Sequence, residues 1–139
     1  MRFRFVKIHL LHNELLLPQE KDLTETGFST PEDLGENIYG WNVSIATTMH
    51  NADKSQALFI ETASEFQFAS EGPFNDEFNR GDHFGIICEL VYAAHCHHQA
   101  VFLSCANEYG GFDDVVPRFC TLQEVKTSTE DALKNAKTS

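Results

Sequence analysis

HFGIICELVYAAHCHHQAVFLSCANEYGG, residues 83–111, decides the fold. Two readings compete. A helix could stop near His97, with Ala100–Ala106 following as a strand. Alternatively, one helix could run from about 83 to 109. The spacing favours the long helix. Ile87, Val91, Ala94, His98, Val101, Phe102, Cys105 and Tyr109 recur at intervals of three and four. At 100° per residue they occupy one stripe roughly 100° wide, with Glu89, Cys96 and Asn107 opposite. Gly110-Gly111 supplies a C-terminal stop, whereas a strand over Ala100–Ala106 has no terminator before Gly110. A helix of that length spans about 39 Å, long enough to expect a kink or break.

Three histidines and a cysteine occupy positions 95–98 of the same stretch. On a continuous helix His95 and His98 lie at i and i+3 and could share a metal, while Cys96 and His97 point elsewhere. Two ligands fall short of the three protein ligands that zinc usually takes, so no metal is expected. The plainer reading makes His98 a half-buried residue at the core edge and leaves the other two solvated.

Upstream, residues 2–11 (RFRFVKIHLL) read as a strand. Phe3 and Phe5 alternate with arginines, and the apolar face then shifts to Val6, Ile8 and Leu10, which predicts a bulge or strong twist. Leu15–Leu17 continue it to Pro18. Residues 19–37 are a polar connection in which Thr30, Pro31, Glu32 and Asp33 look like one turn of helix, stopped by Gly35. In residues 38–49 Trp41, Val43, Ile45, Thr47 and Met49 share one face of a half-buried strand. Ala57–Ala63 is its return and Glu65–Ala69 a further short strand, with Phe66 and Phe68 on one face. Residues 70–82 are a loop, with Asp82 as a helix cap. Near the C-terminus, Cys120–Val125 could start another helix, and overlapping capping boxes at Thr127 and Ser128 precede a weak helix to Ala136. The expectation is an α+β fold: an antiparallel β-sheet of about four strands packed with a long α-helix, straight or kinked. Residues 1–126 form the domain, and 127–139 form a tail or short helix.

The chain has 139 residues, fitting one domain that can bury a core without a metal or disulfide staple. Its net charge of −11 argues against nucleic acid, because phosphate contacts need Lys and Arg. No apolar run reaches membrane-span length, and Lys7, His9, His12 and Glu14 interrupt the opening segment, so neither a span nor a signal peptide is expected. The four cysteines form no CxxC pair and suit a reducing cytoplasm. No nucleophile elbow, metalloprotease, P-loop or dinucleotide-binding pattern occurs. The chain is therefore expected not to be an enzyme and to need no cofactor.

Three segments carry a resemblance. VKIHLLHNELLLP (6–18) is similar to the first strand of the SecB family of protein-export chaperones, and ALFIETASEFQFA (57–69) resembles that family's paired strands. GGFDDVVPRF (110–119) looks like its exit from the long helix. The resemblance covers most of the chain. It implies a cytoplasmic, oligomeric holdase that binds unfolded, apolar polypeptide in aromatic-lined grooves. Trp41, Phe59, Phe66 and Phe68 are the candidate binding residues, although each also suits an ordinary sheet core. A second reading, from the acidic charge, is an immunity or antitoxin-type inhibitor that neutralises one basic partner through acidic residues in Glu71–Asp82. Self-association into a dimer or tetramer is expected in the chaperone reading. Tyr92 and Leu103 lie within about 20° of each other, nearly opposite the core stripe, and would otherwise be exposed.

Overall fold

The computed structural model describes residues 2–29, 31–69, 84–112, 115 and 121–138. Five antiparallel strands form one sheet: β1 (Arg2–Leu16), β2 (Leu23–Phe28), β3 (Glu32–Gly35), β4 (Ile38–His50) and β5 (Ala57–Ala69). Their order is β1-β5-β4-β2, and β3 pairs with the same side of β4 as β2, nearer its start. Two helices follow, α1 (Phe84–Ala106) and α2 (Leu122–Thr138).

The α+β expectation and the long helix are both met. α1 is continuous through the three histidines, and no strand occupies Ala100–Ala106. Its last turn tightens, with Glu108 N–H donating to Cys105 O and Tyr109 N–H to Ala106 O, and Gly111 then takes φ of 90°. The buried side of α1 is the expected stripe, with Ile87, Val91, Ala94, His98, Phe102 and Cys105. Cys88 and Ala106 widen it on one flank. At Cys88 the cause is α2, which brings Thr129 against that thiol.

The sheet presents one face to α1. Trp41, Val43, Ile45 and Thr47 of β4 pair with Phe66, Ser64, Thr62 and Ile60 of β5, and all eight are buried. Two apolar clusters result. The first joins Trp41, Val43, Ile45, Phe66 and Phe68 to Ile87, Val91 and Ala94. The second joins Leu58 and Ile60 to Phe102, Cys105 and Phe112. Full burial of each large side chain contributes roughly 1.5–3 kcal/mol, so these two blocks hold the helix down.

Two expectations are corrected, and one boundary is placed. Glu65–Ala69 is no separate strand: β5 runs unbroken to Ala69, because its alternation continues through Ser64 and Glu65 without a turn former. Of the helical turn expected at Thr30–Asp33, Glu32 and Asp33 belong instead to β3, and Thr30 lies outside the described residues. A long β4 offers its backbone to any adjacent chain, and Gly35, Glu36 and Asn37 at positive φ close a tight turn into it. The boundary expected at 126/127 falls inside α2, whose Val125 joins the first cluster and whose Thr129 is buried. The bulge expected in β1 is present between Phe5 and Lys7, and a second lies between Leu10 and His12. The 70–82 loop and the Asp82 cap lie outside the described residues.

Candidate functional site

β1 is the edge of the sheet. It pairs with β5 along its whole length, and nothing among the described residues pairs with its other side. The register sets its faces. Phe5, Leu10 and Leu15 stand opposite Phe66, Thr62 and Leu58, on the side that carries α1. The helix sits over β4 and β5 and reaches β1 sparingly, so these three remain 45%, 49% and 40% exposed. They make an apolar ledge beside the helix. His97 packs against Phe5, with ring centres 4.5 Å apart and the planes tilted by 45°, and the Tyr109 hydroxyl donates to Asn13 Oδ1 at 2.9 Å. Leu11 at the second bulge, 48% exposed, turns to the open face and lines a shallow hollow of about 530 Å³ with His9, Ala63 and Glu65.

Beneath α1 a polar seam separates the two apolar clusters. His98 is buried between strands: Nε2 lies 2.8 Å from the Thr47 hydroxyl and Nδ1 2.9 Å from that of Thr62. A neutral imidazole has one donor and one acceptor, and a hydroxyl can play either part, so both contacts are satisfied. His95 reaches Thr26 on β2 at 3.1 Å, and His97 reaches Ser64 on β5 at 3.1 Å. His98 is central on the buried stripe and the other two flank it at about 60° and 100°. A broad sheet meets all three. Sequence left His95 and His97 solvated; instead both are half-buried on strand hydroxyls. Burial, and then the charge of His95, pushes His98 down to about 4. Burial also lowers His95 and His97. Among the described residues no group of three or more His, Cys, Asp or Glu could hold a metal.

The open face is arranged differently. His9 pairs with Glu65 at 3.0 Å and His12 with Glu61 at 3.5 Å. At the sheet's end His50 Nδ1 meets Asp22 at 2.8 Å, while His50 Nε2 accepts the Gln19 N–H. Burial alone would raise Asp22, but hydrogen bonds from the His50 side chain and backbone, and its charge, hold Asp22 below the usual carboxylate range.

The four residues that sequence offered for an aromatic groove divide between the core and the open face. Trp41, Phe66 and Phe68 are core residues under α1, and the Trp41 indole N–H donates to Ser29 O. Phe59 alone is on the open face, half-buried against His12. Tyr92 is half-buried against the first cluster, which Val125 of α2 joins, and Leu103 is half-buried. The ledge of Phe5, Leu10 and Leu15 was missed. Its signal was the shifting apolar face of the first strand, but sequence does not say how far a helix covers an edge.

No protein-family model matches the chain, and no curated protein does. Among solved structures it is similar to the Mycobacterium tuberculosis SecB-like chaperone Rv1957, solved in complex with a ChAD peptide from the HigA1 antitoxin Rv1956. The identity is 13%, the TM-score 0.36, and the match covers 86% of this chain and 88% of that one. A likeness of that size settles nothing about what this chain binds. No described helix is long and apolar enough to cross a membrane.

Proposed function

We propose that this chain is a non-enzymatic, SecB-like cytoplasmic chaperone that holds extended apolar polypeptide segments along β1. One observation carries the reading: a 15-residue edge strand, free on one side among the described residues, bears Phe5, Leu10 and Leu15 partly exposed beside a helix. A free edge is a template for another strand, and natural proteins normally blunt one that is also apolar. Strand addition supplies main-chain hydrogen bonds without demanding a sequence, and a ledge of alternate apolar side chains selects for apolar guests. The net charge of −11 favours basic segments and repels acidic ones. It also favours a basic folded partner, so a dedicated inhibitor is the second reading. That protein would bind one partner in fixed stoichiometry rather than many unfolded ones.

Self-association belongs to the same proposal, through Leu103 and Tyr92 on the outer flank of α1. Aggregation of a chemically unfolded client on dilution tests the reading. Excess protein should suppress light scattering, and Leu10→Asp combined with Leu15→Asp should abolish suppression while the far-UV spectrum is retained. Full suppression by the double variant, or none by the wild type, would remove the ledge from the account.

A further inference from the structure

The described histidines divide by their partners. On the open face and sheet end, His9, His12 and His50 each have a carboxylate beside them. Under α1, His95, His97 and His98 have only hydroxyls. Every element packed on the seam adds to this contrast. The register puts Phe5, Ile8, Leu10 and Asn13 of β1 on the helix side, with Lys7 and Glu14 opposite. It puts Thr24 and Thr26 of β2 there, with Glu25 opposite. On β4 and β5 the helix side near the seam is Ile45, Thr47, Ile60, Thr62 and Ser64, with Glu61 and Glu65 opposite. On α1 itself the only acid is Glu89, near its start, and Glu108 lies just beyond its end. Lys126 and Glu130 of α2 lie near Cys88, seven residues or about 10 Å along the helix from His95. Among the described residues no carboxylate faces the seam.

We propose that this seam of histidines held on strand hydroxyls is an acid-operated latch, whose protonation releases α1 from the sheet and opens the apolar surface beneath it. A protonated imidazole here would keep its hydrogen bonds, since both threonine hydroxyls can accept. What it would lack is a countercharge. A buried, unpaired charge is costly, and a second proton on neighbouring His95 adds repulsion. The seam lies between the two apolar clusters, so it acts at the middle of the helix rather than at a fraying end. The flank toward β1 is the route to solvent, because His97 already lies on half-exposed Phe5 there. Release would widen the same ledge to which polypeptide binding was assigned. The latch rests on the seam alone, however, and stands whether or not that ledge takes a guest.

Hydrogen exchange of the full chain between pH 7.5 and 4, corrected for intrinsic rates, is the test. An apolar-surface dye is followed in parallel. Amides of α1 at 90–102 should lose protection by at least about tenfold below pH 6 and before those of β4 and β5, with dye binding rising at the same midpoint. His98→Gln keeps hydrogen-bonding capacity but cannot charge, and should move that midpoint to lower pH. His50→Gln should not move it. Helix and sheet amides failing together at one midpoint would overturn the proposal, and so would an unmoved midpoint in His98→Gln. If that variant does not fold, the wild-type comparison of helix with sheet decides alone.

Discussion

At the scale of single residues, His98 makes stability depend on pH. Its folded pKa of about 4 lies below the ordinary 6.5, so the native state binds fewer protons than the unfolded chain between those values. The stabilisation is complete above pH 6.5 and is lost as pH falls towards about 4, to the extent of about 3 kcal/mol. His95 and His97 are lowered too and act in the same direction. Urea midpoints at pH 7 and pH 5 should therefore differ markedly in the wild type and much less in His98→Gln. Trp41 gives a second check. It is fully buried among Phe28, Phe66 and Phe68, and Trp41→Ala should cost about 3–5 kcal/mol by urea denaturation. Phe59→Ala, at a half-buried site on the open face, should cost far less. Near-equal costs would return Trp41 to the list of surface candidates. That His98 faces the core was legible from helical spacing, but as a half-buried edge residue rather than the fully buried one it is. Its partners were not, because Thr47 and Thr62 lie 51 and 36 positions away, and only strand register brings them under one imidazole.

Among elements, α1 and β4 were plain in the sequence because each buries one face along an uninterrupted run. Their periods of 3.6 and 2 are written in Ile87–Cys105 and Trp41–Met49. β2 and β3 were not legible. Their residues are mostly exposed, and what makes them strands is the backbone of β4, which leaves no mark on side-chain pattern. α2 was half legible: its capping signals are local, but the burial of Val125 and Thr129 depends on α1 being beside them. This yields a prediction at the same scale. A chain ending at Lys126 would keep Val125 but lose the helix that presents it. Its thermal midpoint should fall by several degrees, the expected size for about 1–2 kcal/mol in a domain of this length. An unchanged midpoint would make 127–139 the tail first expected.

For the molecule as a whole, an acidic chain concentrates much of its apolar exposure along one edge. Among the described residues, four of the eight large hydrophobic side chains found exposed, Phe5, Leu10, Leu11 and Leu15, belong to β1, and that clustering distinguishes the edge from ordinary surface. Light scattering at low micromolar concentration should give a mass that is a multiple of 15.7 kDa. Leu103→Asp should lower that mass if the outer flank of α1 is the contact, while Glu89→Lys should not. Binding of a basic apolar peptide should weaken with salt, because the attraction between a chain of charge −11 and such a guest is screened within about 8 Å at physiological ionic strength. The most direct test of the central claim is hydrogen exchange of β1 with and without saturating extended apolar peptide. Amides of residues 3–15 that point away from β5 should gain protection, while those of β2 at the opposite edge should not change. Equal protection at both edges, or none at β1, would contradict a polypeptide site on this strand.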